Sequence, residues 1–163
     1  MEGLVQQEYE YNWKNVLFKI QKRIIYAIEA VLDIALNAGS LPVQNISIAK
    51  RQGIPKRYLE QTLQVLVKSS ILIASRGPRG GYRLAKERRK IKISDIIKSV
   101  SDNNETNDFY KSTLSKLYIE PIISNVFDKC MIGLDEISIE DVYNKVKKNK
   151  NSIPKKKNVD FVI

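Results

Sequence analysis

The sequence predicts a mainly α-helical fold carrying one small β-hairpin, and three observations support this. Residues 75–84 read SRGPRGGYRL, a glycine-rich turn with three arginines between two short apolar runs. Gly77, Pro78, Gly80 and Gly81 are turn formers, so residues 71–74 and 82–84 are expected to pair as strands. Upstream, residues 46–70 form two helical segments divided by Gly53, the pattern of a helix-turn-helix. The charge is also split. Residues 47–92 hold thirteen Lys and Arg against two Glu, a net +11, whereas residues 101–142 hold nine acids against three lysines, a net −6. A helix-turn-helix followed by a basic hairpin is the order of a winged helix, and the basic half is a face for a polyanion.

The elements follow in order. Residues 1–19 form a polar N-terminal extension with scattered aromatics, either a loose arm or a short helix. From Val16 apolar residues recur at helical spacing through Ile20, Ile24, Ala27, Val31 and Leu36, which predicts a long amphipathic helix ending near Ala38 and Gly39. Asn45 or Ser47 is expected to cap a short helix reaching about Arg51. Pro55 suits the first turn of the next helix, which runs to about Lys68 with Leu59, Leu63, Leu66 and Val67 on its apolar side. A winged-helix domain over residues 20–100 is then completed by a basic linker at 86–92 and a short helix at 95–100, which Ser94 is placed to cap.

Residues 101–120 read as loop and linker. Residues 121–148 read as a long helix followed by a last helix that Ser138 and Asp141 open as a capping box. Pro121 either kinks the long helix or opens its main section. Ile122, Ile123, Val126, Phe127, Cys130, Met131 and Leu134 cover more than one face, so one stripe can meet the chain's own core while the rest needs a partner, for which a second copy is the expectation. Residues 149–163 read as a disordered basic tail able to add non-specific phosphate affinity.

Charge and position select the binding residues. A recognition helix reads base edges with its N-terminal residues, which here are Lys56, Arg57, Tyr58, Glu60 and Gln61. Lys or Arg can meet guanine or phosphate, Gln61 can pair with adenine, and Glu60 can accept from cytosine. Lys50 and Arg51 on the preceding helix and Arg76 and Arg79 in the hairpin complete the set. Gln64 and Lys68 are expected on a solvated face, and Tyr82 is expected to pack the wing against the recognition helix. The chain has no His and a single Cys, which removes His-dependent catalysis, His-ligated metals and a four-thiolate site within one chain. It also lacks a phosphate-cradling P-loop sequence. No enzyme, metal or cofactor is expected. No apolar run approaches the roughly 20 residues of a membrane span, so the expected location is cytoplasmic.

Several of these stretches together resemble the Rrf2 family of bacterial winged-helix regulators: residues 26–27 (YA), 32–36 (LDIAL), 48–54 (IAKRQGI), 58–61 (YLEQ), 76–84 (RGPRGGYRL) and 95–100 (DIIKSV). The resemblance covers residues 23–100 with specific motifs and continues more weakly through 121–146, where the family has its dimerisation helix. It implies a homodimeric, sequence-specific regulator, a repressor or an activator, on a palindromic DNA operator. Tyr58, Glu60 and Gln61 would then lie in the major groove, and Arg76 with its neighbours in the flanking minor groove. Cluster-binding members place three cysteines between the wing domain and the dimerisation helix, and residues 101–118 contain none. The expectation is therefore a regulator without an iron–sulphur cluster. Cys130 reads either as a buried small hydrophobe or as a redox switch across the dimer axis. A rival reading is an interaction module whose DNA binding or signalling depends on a regulatory protein partner.

Overall fold

In the computed structural model, residues 20–101 and 110–149 are described. Expectations for the N-terminal extension, for residues 102–109 of the 101–120 loop and for residues 150–163 of the basic tail fall outside them, while residues 113–120, expected as linker, are helical and lead directly into the long helix. The elements run α1 (Lys22–Leu36), α2 (Asn45–Gln52), α3 (Lys56–Lys68), β1 (Leu72–Ser75), β2 (Gly81–Leu84), α4 (Ile93–Val100), α5 (Glu120–Glu136) and α6 (Ile139–Asn149).

Helix α1 is the floor of the domain. Its Ala27, Ala30, Val31, Ile34 and Ala35 recur at three- and four-residue steps and are buried. Ile20 lies outside the helix and is exposed. The helix also stops short of the expected Ala38–Gly39 end. Asn37 takes the C-cap, sending both its backbone N–H (3.0 Å) and its side-chain Nδ2 (2.8 Å) to the Asp33 carbonyl. That amide satisfies an orphan carbonyl, so no left-handed glycine is needed.

The α2–α3 unit turns at Gly53, whose φ of 68° is left-handed. Gln44 precedes α2 without a side-chain cap. The expected cap Asn45 instead reaches Glu60 on α3 (3.3 Å), because a cross-helix acceptor lies within its reach. Pro55 stands one position before the first residue of α3. Leu59, Leu63 and Leu66 are fully buried beneath α3, each contributing about 1.5–3 kcal/mol by leaving water. Ile71 N–H closes back on the Leu66 carbonyl at 3.0 Å and leads into the hairpin.

The wing pairs Leu72 with Leu84, Ile73 with Arg83, Ala74 with Tyr82 and Ser75 with Gly81, antiparallel. Val43 bridges to the free side of β2 as a third segment. Its N–H donates to the Tyr82 carbonyl (2.9 Å), and Tyr82 N–H donates to the Val43 carbonyl (2.8 Å). The backbones are so close that a Cβ on Gly81 would lie 2.5 Å from the Val43 carbonyl oxygen. The root of the wing is thereby fixed to the chain entering α2, and Tyr82 packs half-buried on the core.

The last third of the chain leaves this body and returns. Helix α4 begins at Ile93, two residues before the expected start, with its Lys92 N–H bonded to the Asp95 carboxylate (3.2 Å). Ser94 caps nothing. Its hydroxyl donates to Asp135 on α5, a partner 41 positions away. Before α5 the chain makes one wider turn over Ser115–Ile119, in which Glu120 N–H reaches back five residues to the Ser115 carbonyl. Pro121 has no N–H for the Leu117 carbonyl, and a π-type turn beside it relieves that lost bond. After α5, Ile137 accepts from Ile93 N–H and Ile139 donates to the Ile91 carbonyl, both at 2.9 Å. This short ladder returns the chain to the body, where Ile139 is fully buried and α6 packs on α1. Ser138 and Asp141 form the expected box. Ser138 N–H donates to the Asp141 carboxylate (2.8 Å) and Asp141 N–H donates to the Ser138 hydroxyl (3.2 Å).

Candidate nucleic-acid interface

The α2–α3 turn and the hairpin set the surface that the sequence singled out. Because Leu59, Leu63 and Leu66 turn inward, Lys56, Arg57, Tyr58, Glu60 and Gln61 are exposed on the first two turns of α3. Tyr58 keeps 62 % of its surface in water, a large aromatic left outside the core. Glu60 is held on one side by Asn45 and stands 4.0 Å from the Lys56 ammonium. Tyr82 approaches from the wing. Its phenol is raised above the ordinary tyrosine range, first by burial and then by the negative charge of Glu60.

Arg76 and Arg79 project from the wing tip, and neither makes an ion pair with another described residue. Gln44, at the entrance to α2, donates to the Pro78 carbonyl (3.3 Å) and ties the tip to the body. Arg51 is placed differently from the other candidates. Its Nε and Nη2 donate to the two oxygens of Asp33 at 2.9 and 2.6 Å, and Gln52 donates to the same carboxylate at 2.7 Å. Asp33 is almost wholly buried, and this pairing holds Arg51 above the ordinary guanidinium range.

Besides Arg51 and Lys56, four further cations counted in the basic half have internal acceptors. Arg83 donates to the carbonyls of Gly39 and Ser40, bracing the loop before α2. Arg88 pairs with Glu140 (2.7 Å) and lies 3.9 Å from the centre of the Tyr143 ring. Arg89 and Lys90 both hold Glu87. Charge counting missed these because the acceptors of Arg83 and Arg88 lie far away in sequence. It also missed Lys22 and Arg23 at the start of α1. These line a recess of about 670 Å³ with Tyr26, Tyr58, Gln61 and Lys68, which joins α1 to the edge of the recognition helix.

Cys130 is exposed, against the expectation of a buried small hydrophobe. The reason is the helix it stands on. Every residue of α5 from Glu120 to Cys130 is exposed, including Ile122 (61 %) and Val126 (44 %).

The sequence profile of the Rrf2 family, described as iron-dependent transcriptional regulators, matches residues 20–145. The chain belongs to the Rrf2 family. Its relatives include the regulator IscR of Cronobacter sakazakii, 42 % identical over 78 residues, which are 48 % of each chain. The chain thus spans about half the length of that curated relative. An HTH-type transcriptional regulator of Haemophilus influenzae is 33 % identical over 131 residues, 78 % of this chain and 87 % of that one. Among solved structures, T. potens IscR superposes with a TM-score of 0.68 at 30 % identity, covering 83 % of this chain and 93 % of that one. The cysteine regulator CymR of B. subtilis gives 0.57 at 26 % identity, over 78 % and 98 %. The Rrf2 fold is thus a winged helix with an appended long helix, and the family is one of transcriptional regulators, not enzymes. Among the described residues no helix is long and apolar enough to cross a membrane.

The family's iron chemistry does not fit the donors of this chain. Iron–sulphur clusters are held by several thiolates, with His in some types. This chain has one Cys and no His, and its Cys130 lies in no group of three or more His, Cys, Asp or Glu among the described residues.

Proposed function

We propose that this chain is a homodimeric, sequence-specific DNA-binding regulator, acting as a repressor without an iron–sulphur cluster. The observation that carries the reading is the concentration of exposed, unspent recognition groups on two adjoining elements: Arg57, Tyr58 and Gln61 on the leading turns of α3, and Arg76 and Arg79 on the wing. In this reading α3 enters the major groove, where Gln61 and Glu60 meet base edges and Lys56, Arg57 and Lys50 meet phosphate or guanine. On the wing, Arg76 enters the flanking minor groove, whose negative potential deepens over A·T-rich stretches.

The dimer rests on α5. A helix apolar on several faces and exposed along more than two turns is not stable alone in water, so it calls for a partner surface. A second copy is the occupant that also presents two recognition helices to a two-fold operator. The cluster-free reading rests on the donor set, and it leaves the signal to another input such as a regulatory protein partner or Cys130.

Selection from a random duplex library, with light scattering and an iron assay on anaerobically purified protein, tests this. One enriched palindrome, a two-chain mass and iron-free protein are expected. Failure to enrich any sequence would overturn the DNA-reading assignment, and a brown, iron-bearing protein would overturn the cluster-free one.

A further inference from the structure

Between α2 and the wing tip lies a polar recess of about 400 Å³, separate from the base-reading turns of α3. Arg51 and Arg79 both line it, together with Ser47, Asn37, Gln44 and Pro78. The two guanidiniums come from different elements, which the Gln44–Pro78 hydrogen bond (3.3 Å) links. Arg51 is anchored on α1. Asp33, 2 % exposed, takes two of the five N–H groups that a guanidinium carries, and Gln52 bonds the same carboxylate from α2. The side chain keeps 39 % of its surface exposed and is among those lining the recess.

Resting on the DNA-binding reading above, we propose that this recess seats a single backbone phosphate, clamped between Arg51 and Arg79, with buried Asp33 as the positioning residue. Charge agrees with this occupant. Two guanidiniums against one buried carboxylate leave one positive charge, which matches one phosphodiester. Chemistry agrees as well. Guanidinium edges and a hydroxyl are donors suited to phosphate oxygens, and fixing Arg51 on Asp33 removes most of the side-chain entropy lost on contact. The clamp would read no base. It would set the angle between recognition helix and wing, so that both enter their grooves in register.

The test uses the full-length protein and duplexes carrying the sequence recovered by selection, with one phosphate at a time replaced by a neutral methylphosphonate. One position in each half-site is expected to weaken wild-type binding roughly tenfold, the size of a lost charge-assisted hydrogen bond. In Arg79→Ala, an exposed wing-tip change, and in Arg51→Lys, which keeps the charge but loses the brace on Asp33, the penalty at that position is expected to fall to about twofold or less, while penalties at other phosphates persist. Asp33→Asn is expected to act like Arg51→Lys where thermal unfolding shows it folded. If the penalty at every position survives in Arg79→Ala and Arg51→Lys, the clamp is wrong while DNA recognition stands. If selection recovers no sequence, the DNA reading itself has failed.

Discussion

The winged-helix body and helix α5 solve the same problem in opposite ways. In the body every helix turns its apolar stripe onto a shared core, and Leu59, Leu63, Leu66, Ile96 and Ile139 are all fully buried. In α5 the apolar residues face outward around the helix, and its ties to the body, Leu134 and the Ser94–Asp135 hydrogen bond, sit near its C-terminal end. The body therefore carries its own stability. Helix α5 leaves its apolar residues uncovered over Glu120–Cys130, and in the proposed dimer a second copy covers them.

That contrast can be broken from either side. Leu63→Ala is expected to cost the body about 2–5 kcal/mol, through lost burial and a cavity, and to lower the thermal midpoint wherever the oligomer stands. Ile122→Asp with Val126→Asp is expected to leave the body's unfolding largely intact and to convert a two-chain mass to a one-chain mass by light scattering. Operator affinity should fall with it, because the two half-sites lose their linkage. If the double variant keeps the two-chain mass, α5 is not the dimer contact. If it unfolds with the body, the two regions are a single cooperative unit.

The two regions also differ in how much the sequence discloses. Periodicity located α3 and the hairpin well, since Leu59, Leu63 and Leu66 must face inward wherever the domain is placed. Helix ends were less legible, because caps are contested by tertiary partners. Asn45 was drawn to Glu60, Ser94 to Asp135, and Asn37 displaced Gly39 at the end of α1. The same cause blurred the candidate interface. Nothing local to Arg51 or Arg83 announces acceptors 18 and 44 positions away. A run of cations reads as a polyanion face until some of them are found to hold the fold together. On α5 the apolar pattern and the need for a partner were visible, but not that Glu120–Cys130 would be exposed throughout, because a single sequence does not say which faces the rest of the chain will cover.

Within the body, the reading turns and the wing should separate. Glu60→Ala or Gln61→Ala is expected to change the preferred base at one position per half-site, at about 1–3 kcal/mol of lost discrimination. Arg76→Ala is expected to weaken all sequences alike and to lower the slope of log affinity against log salt by about 0.9 for each phosphate released. A repeat of the duplex selection with each variant, followed by salt titration, distinguishes these outcomes. An unchanged preferred sequence in both α3 variants would remove Glu60 and Gln61 from base readout.

The smallest effect is at the seam where the chain returns from α5 to the body. The Asp141 carboxyl is held below the ordinary aspartate range, chiefly by the Ser138 hydroxyl and next by the Ser138 N–H. A depressed carboxyl stabilises the fold above its unfolded value of about 3.9, and that contribution is lost as pH falls through the lower folded value. Ser138→Ala removes the hydroxyl and should cost about 1 kcal/mol at neutral pH, a typical helix-cap loss. Below pH ~4 the wild type loses the same interaction by protonation. The gap in thermal midpoint between wild type and Ser138→Ala should therefore narrow as the solution is acidified. A gap that stays constant from pH 7 to pH 3 would mean that the serine stabilises the seam by packing, since its side chain is buried, and that the capping box contributes little there.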